Sequence, residues 1–239
     1  MLPSALATEI VSAAGADWLC IDLQHGQIDE GEMRAMVQAA AIRGTPAVVR
    51  VPWNEPSSIM RALDAGADGV IIPMINSGTD AQAAAEATRF PPRGTRSWGP
   101  LRPAMTYPGY SPELANELAV CLVMVETVEA VANIDAILDV AEVDGVFVGP
   151  KDLAISRTGH VANAIDSPES LEMFRKIAAA CRARGLVAGT ICDTAEEVRL
   201  CREMGYSLIA LRPDAVLLGD SMRQQLSAVR VDRPVKDVV

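Results

Sequence analysis

Short apolar runs rich in Val, Ile and Leu recur along the chain, separated by longer stretches whose apolar positions return every three or four residues. Runs of the first kind are too short for buried helices and read as strands; stretches of the second kind read as amphipathic helices. This pattern predicts strands at Trp18–Leu23, Pro46–Val51, Val70–Met74, Cys121–Val125, Val146–Val148, Val187–Ile191 and Leu208–Leu211. Helix boundaries are punctuated between them. Asp29 with Glu32 and Thr194 with Glu197 have capping-box spacing, and Ser167-Pro168 offers an N-cap with proline at the first helical position. Gly15, Gly44, Gly66, Gly185 and Gly205 each follow a helical run, where a C′ glycine belongs, and the echo AGADW/AGADG repeats one helix-to-strand corner. In the unit 121–153, Thr127 is expected to cap one helix carrying Val128, Val131, Ile134 and Ile137–Leu138.

Near-continuous apolar strands alternating with helices imply a parallel sheet covered by helices, and repeated βα units of this length favour an α/β fold of the (β/α)₈ TIM-barrel type over 1–239 as one domain. A doubly wound sheet is the alternative, but no GxGxxG follows the first strand. Seven strands are visible where a closed barrel has eight. The first helix begins near Ser4, so the opening strand is short or missing, with only Met1–Pro3 to form it.

Residues 90–118 form a Pro/Gly-rich insertion with Trp98, Tyr107, Tyr110, Arg96 and Arg102, too long for an ordinary connection. It leads from a helix back to a strand, on the barrel face away from a site at the strand C-termini. A subunit contact, or a reach toward a neighbour's site, is therefore favoured over direct catalysis. Half of the residues are hydrophobic and few are aromatic, which suits a large aliphatic core. Acidic residues outnumber basic ones 31 to 21 without a Lys/Arg run, which argues against a nucleic-acid or anionic-membrane partner. Five dispersed cysteines without a CxxC suit a reduced, cytoplasmic protein, and neither a signal peptide nor a membrane span is expected.

The strand C-termini collect polar chemistry. The first predicted strand ends in Asp22, Gln24 and His25, the second in Arg50, the fourth in Glu126, and the fifth runs through Gly149-Pro150 to Asp152. In a barrel this is the face where active sites are built. Two carboxylates converging there repel unless a cation or a proton lies between them, and Mg²⁺ or Mn²⁺ suits such an oxygen-rich pair. The bland alternative is a helix cap and a surface ion-pair partner. His25 stands where a base would, with Asp22 to orient it, against the alternative of a structural histidine; His160, in a polar loop, reads as solvated. Arg50, ending an apolar strand, either clamps a substrate carboxylate or enolate oxygen or pairs with Asp22 or Glu126. Metal, base and guanidinium together are equipment for removing a proton next to a carbonyl. Lys151, one of three lysines, offers the competing Schiff-base mechanism, although its position in the loop gives it little desolvation. A barrel that binds small oxo acids without turnover is the non-enzymatic alternative.

The segments DWLCIDLQHG, PAVVRVPWNEP, GVIIPMINS, RFPPRGTRSWGP, VMVETVEAVANIDAIL and VDGVFVGPKDL resemble, in order, the motifs of the HpcH/HpaI family of metal-dependent (class II) pyruvate aldolases, over about residues 5–215. The resemblance implies a lyase that enolises pyruvate and adds it to an aldehyde, or cleaves 4-hydroxy-2-oxo acids; a related reading is oxaloacetate decarboxylation. It implies a divalent ion, Mg²⁺ or Mn²⁺ with Co²⁺, Zn²⁺ or Ni²⁺ as alternatives, held by Glu126 and Asp152. It also implies His25 as base with Asp22 as its partner, and Arg50 on the pyruvate carbonyl. The backbone of Pro150, Lys151 and Asp152 would hold the pyruvate carboxylate, and Ile191 would line the aldehyde pocket. A homohexamer of dimers exchanging the last helix is implied as well, and the amphipathic run 215–228 suits that helix. Three departures stand out: Met124 where many members have Gln, DLQH where D-x-E-H is common, and the reduced opening strand.

Overall fold

The computed structural model describes residues 2–162, 165 and 167–229. All seven expected strands are present: β1 Leu19–Asp22, β2 Ala47–Arg50, β3 Gly69–Ile72, β4 Val120–Val125, β5 Gly145–Val148, β6 Val187–Ile191 and β7 Leu208–Ala210. Each pairs in parallel with the next, in the order β1 to β7. They form a nearly closed TIM-type barrel with helices between successive strands. Among the described residues no ladder joins β7 to β1, so the cylinder is open where an eighth strand would stand. Leu2 lies at that side, its N–H donating to the Asp214 carboxylate at 3.2 Å, and the first helix follows at Ala5–Ala13 with Ser4 as its N-cap.

Period-two alternation sorts the strand residues into two cores. Ile21, Val49, Val70, Val123, Val146 and their like point outward into the large core beneath the helices. Val48, Ile71, Leu122, Met124 and Phe147 point inward and fill the barrel. The helix punctuation holds: both capping boxes form, Ser167 accepts from Ser170 N–H, and Gly185 and Gly205 terminate their helices at φ 68° and 108°. The repeated corner has a purpose. Asp68 of AGADG, just before β3, accepts the Ala47 N–H at 2.8 Å and ties its corner to the start of the previous strand; Asp144, outside the repeat but likewise just before β5, accepts the Cys121 N–H at 2.7 Å.

Two expectations are corrected. Residues 90–118 are not a bare loop but carry the short helices Leu101–Thr106 and Pro112–Leu118. The segment is anchored by Arg96, which pairs with Asp64 at 2.7 Å and covers the Phe90 ring at 4.5 Å. The single helix expected after Thr127 is instead two, Val128–Ala132 and Ile134–Leu138, interrupted at Asn133. The final helix, Asp214–Val229, closely matches the expected 215–228, and none of its residues is buried within the chain. Among the described residues no helix is long and apolar enough to cross a membrane.

Candidate active site

The parity that fills the barrel also aims the site. Cys20 and Val48 belong to the inner cluster, so Asp22 and Arg50, two residues further on, face inward at the C-terminal ends of β1 and β2. Asp22 and Arg50 are direct register partners across the β1–β2 ladder. Arg50 Nε donates to Asp22 Oδ1 at 2.7 Å and Nη2 to Oδ2 at 2.5 Å, a fork-to-fork pair around a fully buried carboxylate. The Gln24 N–H (3.0 Å) and the His25 N–H (3.4 Å) also donate to Asp22 Oδ1. Burial works against the Arg50 charge, but the bonds to Asp22 outweigh it and hold its pKa above the usual value. Nη1 makes no hydrogen bond among the described residues and remains available.

Met124 faces inward, so Glu126 does too, and it is only 2% exposed. Its Oε1 accepts the Met74 N–H at 2.7 Å. Burial pushes its pKa up to about 7; the Met74 bond opposes the rise, Asp152 adds to it, and Arg50 counters it. The Asp152 and Arg50 charges thus act on the same carboxylate. Gly149 supplies the space: a Cβ there would stand 2.4 Å from Glu126 Oε2.

A cavity of about 570 Å³ opens above this pair, lined by His25, Arg50, Asp152 and Ile191 among others. Pro150 and Lys151 line it as well, at the start of the helix Pro150–Thr158. His25 and Asp152 are exposed, whereas Glu126 lies behind the wall beside Gly149 and Met124. On the open side of the barrel, Thr8 and Val11 complete the lining. No residue of 90–118 reaches the cavity, as expected, and His160 is exposed on its loop.

The role expected of Asp22 changes. It does not bond the His25 imidazole; it is committed to Arg50 and to the backbone leading into His25. Its contact with His25 is to the main-chain N–H. Of the pairings open to Arg50, Asp22 is the one formed. Lys151 stands 59% exposed, 3.9 Å from Asp193, so it has none of the desolvation that a Schiff-base amine needs.

Among the described residues no group of three or more His, Cys, Asp or Glu is placed to hold a metal ion. The carboxylates at this rim that could serve as donors are Glu126 and Asp152, with the Glu126 oxygens confined between an N–H and a glycine. Such oxygen donors would suit a hard divalent cation rather than one that favours His or Cys.

Sequence reasoning missed Met74, the one non-glycine residue with positive φ (57°) among the described residues. No residue-type signal marks it, because methionine is not a left-handed former. It also missed Arg212 and Asp193 on the cavity wall, since neither sits in a strand. Gln24, the departure beside His25, keeps a buried Oε1 without a hydrogen-bond partner in the described residues.

An inward arginine, an imidazole and carboxylates gathered at one rim of a parallel barrel mark that rim as the candidate active site of a barrel enzyme. The family description HpcH/HpaI aldolase/citrate lyase matches residues 2–219. A hydroxypyruvate/pyruvate aldolase of Rhizorhabdus wittichii is 39% identical over 232 residues, 96% of this chain and 91% of that protein. A 4-hydroxy-2-oxo-heptane-1,7-dioate aldolase of Salmonella typhimurium is 34% identical over 220 residues, 91% of this chain and 83% of that protein. A solved HpcH/HpaI aldolase/citrate lyase family protein from Burkholderia cenocepacia superposes with a TM-score of 0.87 at 35% identity, covering 96% of this chain and 91% of its own. This chain belongs to the HpcH/HpaI aldolase/citrate lyase family, and it is an aldolase-type lyase.

Proposed function

We propose that the protein is a class II pyruvate aldolase, condensing pyruvate with an aldehyde and cleaving 4-hydroxy-2-oxo acids in reverse. The observation that carries this reading is the Arg50–Asp22 fork set beside Glu126 under a cavity that also holds His25 and Asp152. The named activities of the relatives in Rhizorhabdus and Salmonella support the same substrates. Glu126 and Asp152 would hold the divalent ion, Mg²⁺ or Mn²⁺, whose positive charge favours the enolate over the ketone when it is bound.

The remaining work belongs to the chain. Asp22 fixes the guanidinium plane of Arg50, leaving Nη1 to donate to the pyruvate carbonyl oxygen as it becomes an enolate oxygen. The backbone N–H groups of Lys151 and Asp152, opening the helix after Pro150, suit the pyruvate carboxylate. His25 takes a proton from the methyl carbon. That carbon then attacks the aldehyde carbonyl, and a proton returned to the new alkoxide completes the hydroxy acid. Ile191, half-buried at the end of β6, offers an apolar wall for the aldehyde. In the cleavage direction His25 would remove the hydroxyl proton and the same steps run backward.

The assembly we propose is a homohexamer in which the helix Asp214–Val229 packs on a second copy, since Leu217, Leu218 and Met222 stand about half exposed along it. The segment 90–118 would form further subunit contacts, with Trp98, Leu101 and Met105 exposed on it. A single barrel domain is the unit repeated, and five unbridged thiols suit the cytoplasm.

Cleavage of a 4-hydroxy-2-oxo acid, followed by pyruvate release, tests the activity. Exhaustive chelation should abolish cleavage, Mn²⁺ should restore it, and borohydride with pyruvate should leave Lys151 unmodified. Cleavage that needs no metal, or a pyruvate adduct on Lys151, would overturn the proposal.

A further inference from the structure

The strained residue at the end of β3 and the broken helix after β4 belong to one network, and that network ends on Glu126. Met74 holds φ 57°, and in this conformation its N–H reaches Glu126 Oε1 at 2.7 Å. The φ of Met74 sets the path of the residues after it, so an extended backbone there would carry the Ile75 N–H and Asn76 away from the partners that hold this turn against β4. The next N–H, of Ile75, bonds the Met124 carbonyl at 3.2 Å, so the loop is stitched to β4 on both sides of Val125.

Asn76 holds the turn together. Its Nδ2 donates to the Met74 carbonyl at 3.4 Å, and its Oδ1 accepts the Thr127 hydroxyl. The Asn133 amide donates to the Asn76 carbonyl at 2.8 Å. Asn133 is also where the helix breaks, at φ −92° and ψ 12°. Thr127 and Asn133 therefore grip the loop from the segment that follows Glu126, while Met74 grips Glu126 from the loop. Opposite, Gly149 leaves only enough room for the carboxylate as it stands.

We infer that Met74, locked in the left-handed conformation by Asn76, is a positioning residue that sets the orientation in which Glu126 meets a divalent ion. The inference rests on the proposed reading of Glu126 as a metal ligand. It goes beyond that reading by assigning the ligand's orientation to a backbone donor, so that side-chain identity at position 74 matters only through the conformation it permits. Glycine adopts this φ without strain, whereas a β-branched residue there is an outlier.

Mn²⁺ titration of the metal-free protein, read as the free-ion electron spin resonance signal, tests this with thermal midpoints measured alongside. Met74→Val and Asn76→Ala should each raise the Mn²⁺ Kd about tenfold or more, the size typical of lost support behind a ligand. Met74→Gly should bind within about twofold of the wild type, since the conformation survives. A purely structural role would instead lower the midpoints and leave Kd unchanged. A folded Met74→Val protein that binds Mn²⁺ like the wild type overturns the inference, and so does a Met74→Gly protein as weak as Met74→Val. If Met74→Val does not fold, Asn76→Ala decides by the same criterion. Glu126→Gln separates the two levels: unchanged Kd there defeats the ligand reading itself, whereas weakened binding there beside unaffected Asn76→Ala and Met74→Val proteins defeats only the inference.

Discussion

Asp22 is fully buried and negative, and Arg50 is the cation that makes this tolerable. Removing Arg50 leaves the carboxylate uncompensated, at a cost of roughly 3–5 kcal/mol, and under the proposed mechanism it also withdraws a donor to the enolate, worth about 10²–10³-fold in rate. Arg50→Ala should therefore lose stability and turnover together. Arg50→Lys should recover part of the stability and little of the rate, because one ammonium cannot reproduce the fork; denaturant unfolding and cleavage kinetics measure the two. This pairing was only half legible. Asp22 lies three residues from His25 in sequence, which suggested a carboxylate–imidazole pair, whereas register places it directly across from Arg50. Register depends on how two strands align, and neither strand states that alone.

Glu126 supplies the pH dependence. Its folded pKa, raised to about 7 by burial, lies above the ordinary carboxylate value. The carboxyl therefore favours the fold while protonated, and that contribution is lost as pH rises from the unfolded value through about 7. The loss for the metal-free protein is on the order of 3 kcal/mol. Metal-free Glu126→Gln should gain stability relative to the wild type between about pH 5 and about pH 8. A constant difference across that range in chemical denaturation would contradict the assigned burial.

At the scale of elements, the inward parity of β1, β2 and β4 does most of the positioning, but the near-continuous apolar runs conceal it, because both faces of each strand are buried. Once that parity is known, the identity of the inward terminal residues, Asp22, Arg50 and Glu126, follows by counting in twos. The β3 and β5 ends resist such counting. Met74 turns left-handed without a glycine to announce it, and Gly149 is needed for a close approach that only three dimensions show. Gly149→Ala should drive Glu126 off its position, weakening Mn²⁺ binding and activity by about tenfold or more. Titration together with cleavage kinetics measures this, and unaltered metal binding would show that the carboxylate has slack. The helix after Thr127 read as continuous because its apolar period is unbroken; Asn133 breaks it with a long-range amide bond that local pattern does not encode.

At the scale of the molecule, alternation of strands and helices specified a parallel barrel, and the strand count of seven carried through to the structure. Packing beyond one chain was less legible, because a helix bearing Leu217, Leu218, Met222 and Leu226 reads the same whether it covers its own barrel or another copy. No residue of that helix is buried within the chain, which is why a second copy is the proposed cover. Truncation after Arg212 should lower the assembly state seen by light scattering and reduce activity at low protein concentration. An unchanged assembly would place the contacts elsewhere.

The central proposal is that one rim of this barrel forms a pyruvate enolate with the help of a divalent ion that Glu126 and Asp152 would hold. Exchange of the pyruvate methyl protons in deuterated water, followed by proton NMR with no aldehyde present, isolates that step from aldol addition. Exchange should require Mg²⁺ or Mn²⁺, stop on exhaustive chelation, fall about 10²–10³-fold in Arg50→Ala, and vanish in Glu126→Gln. Exchange that continues undiminished after complete removal of metal would contradict the account.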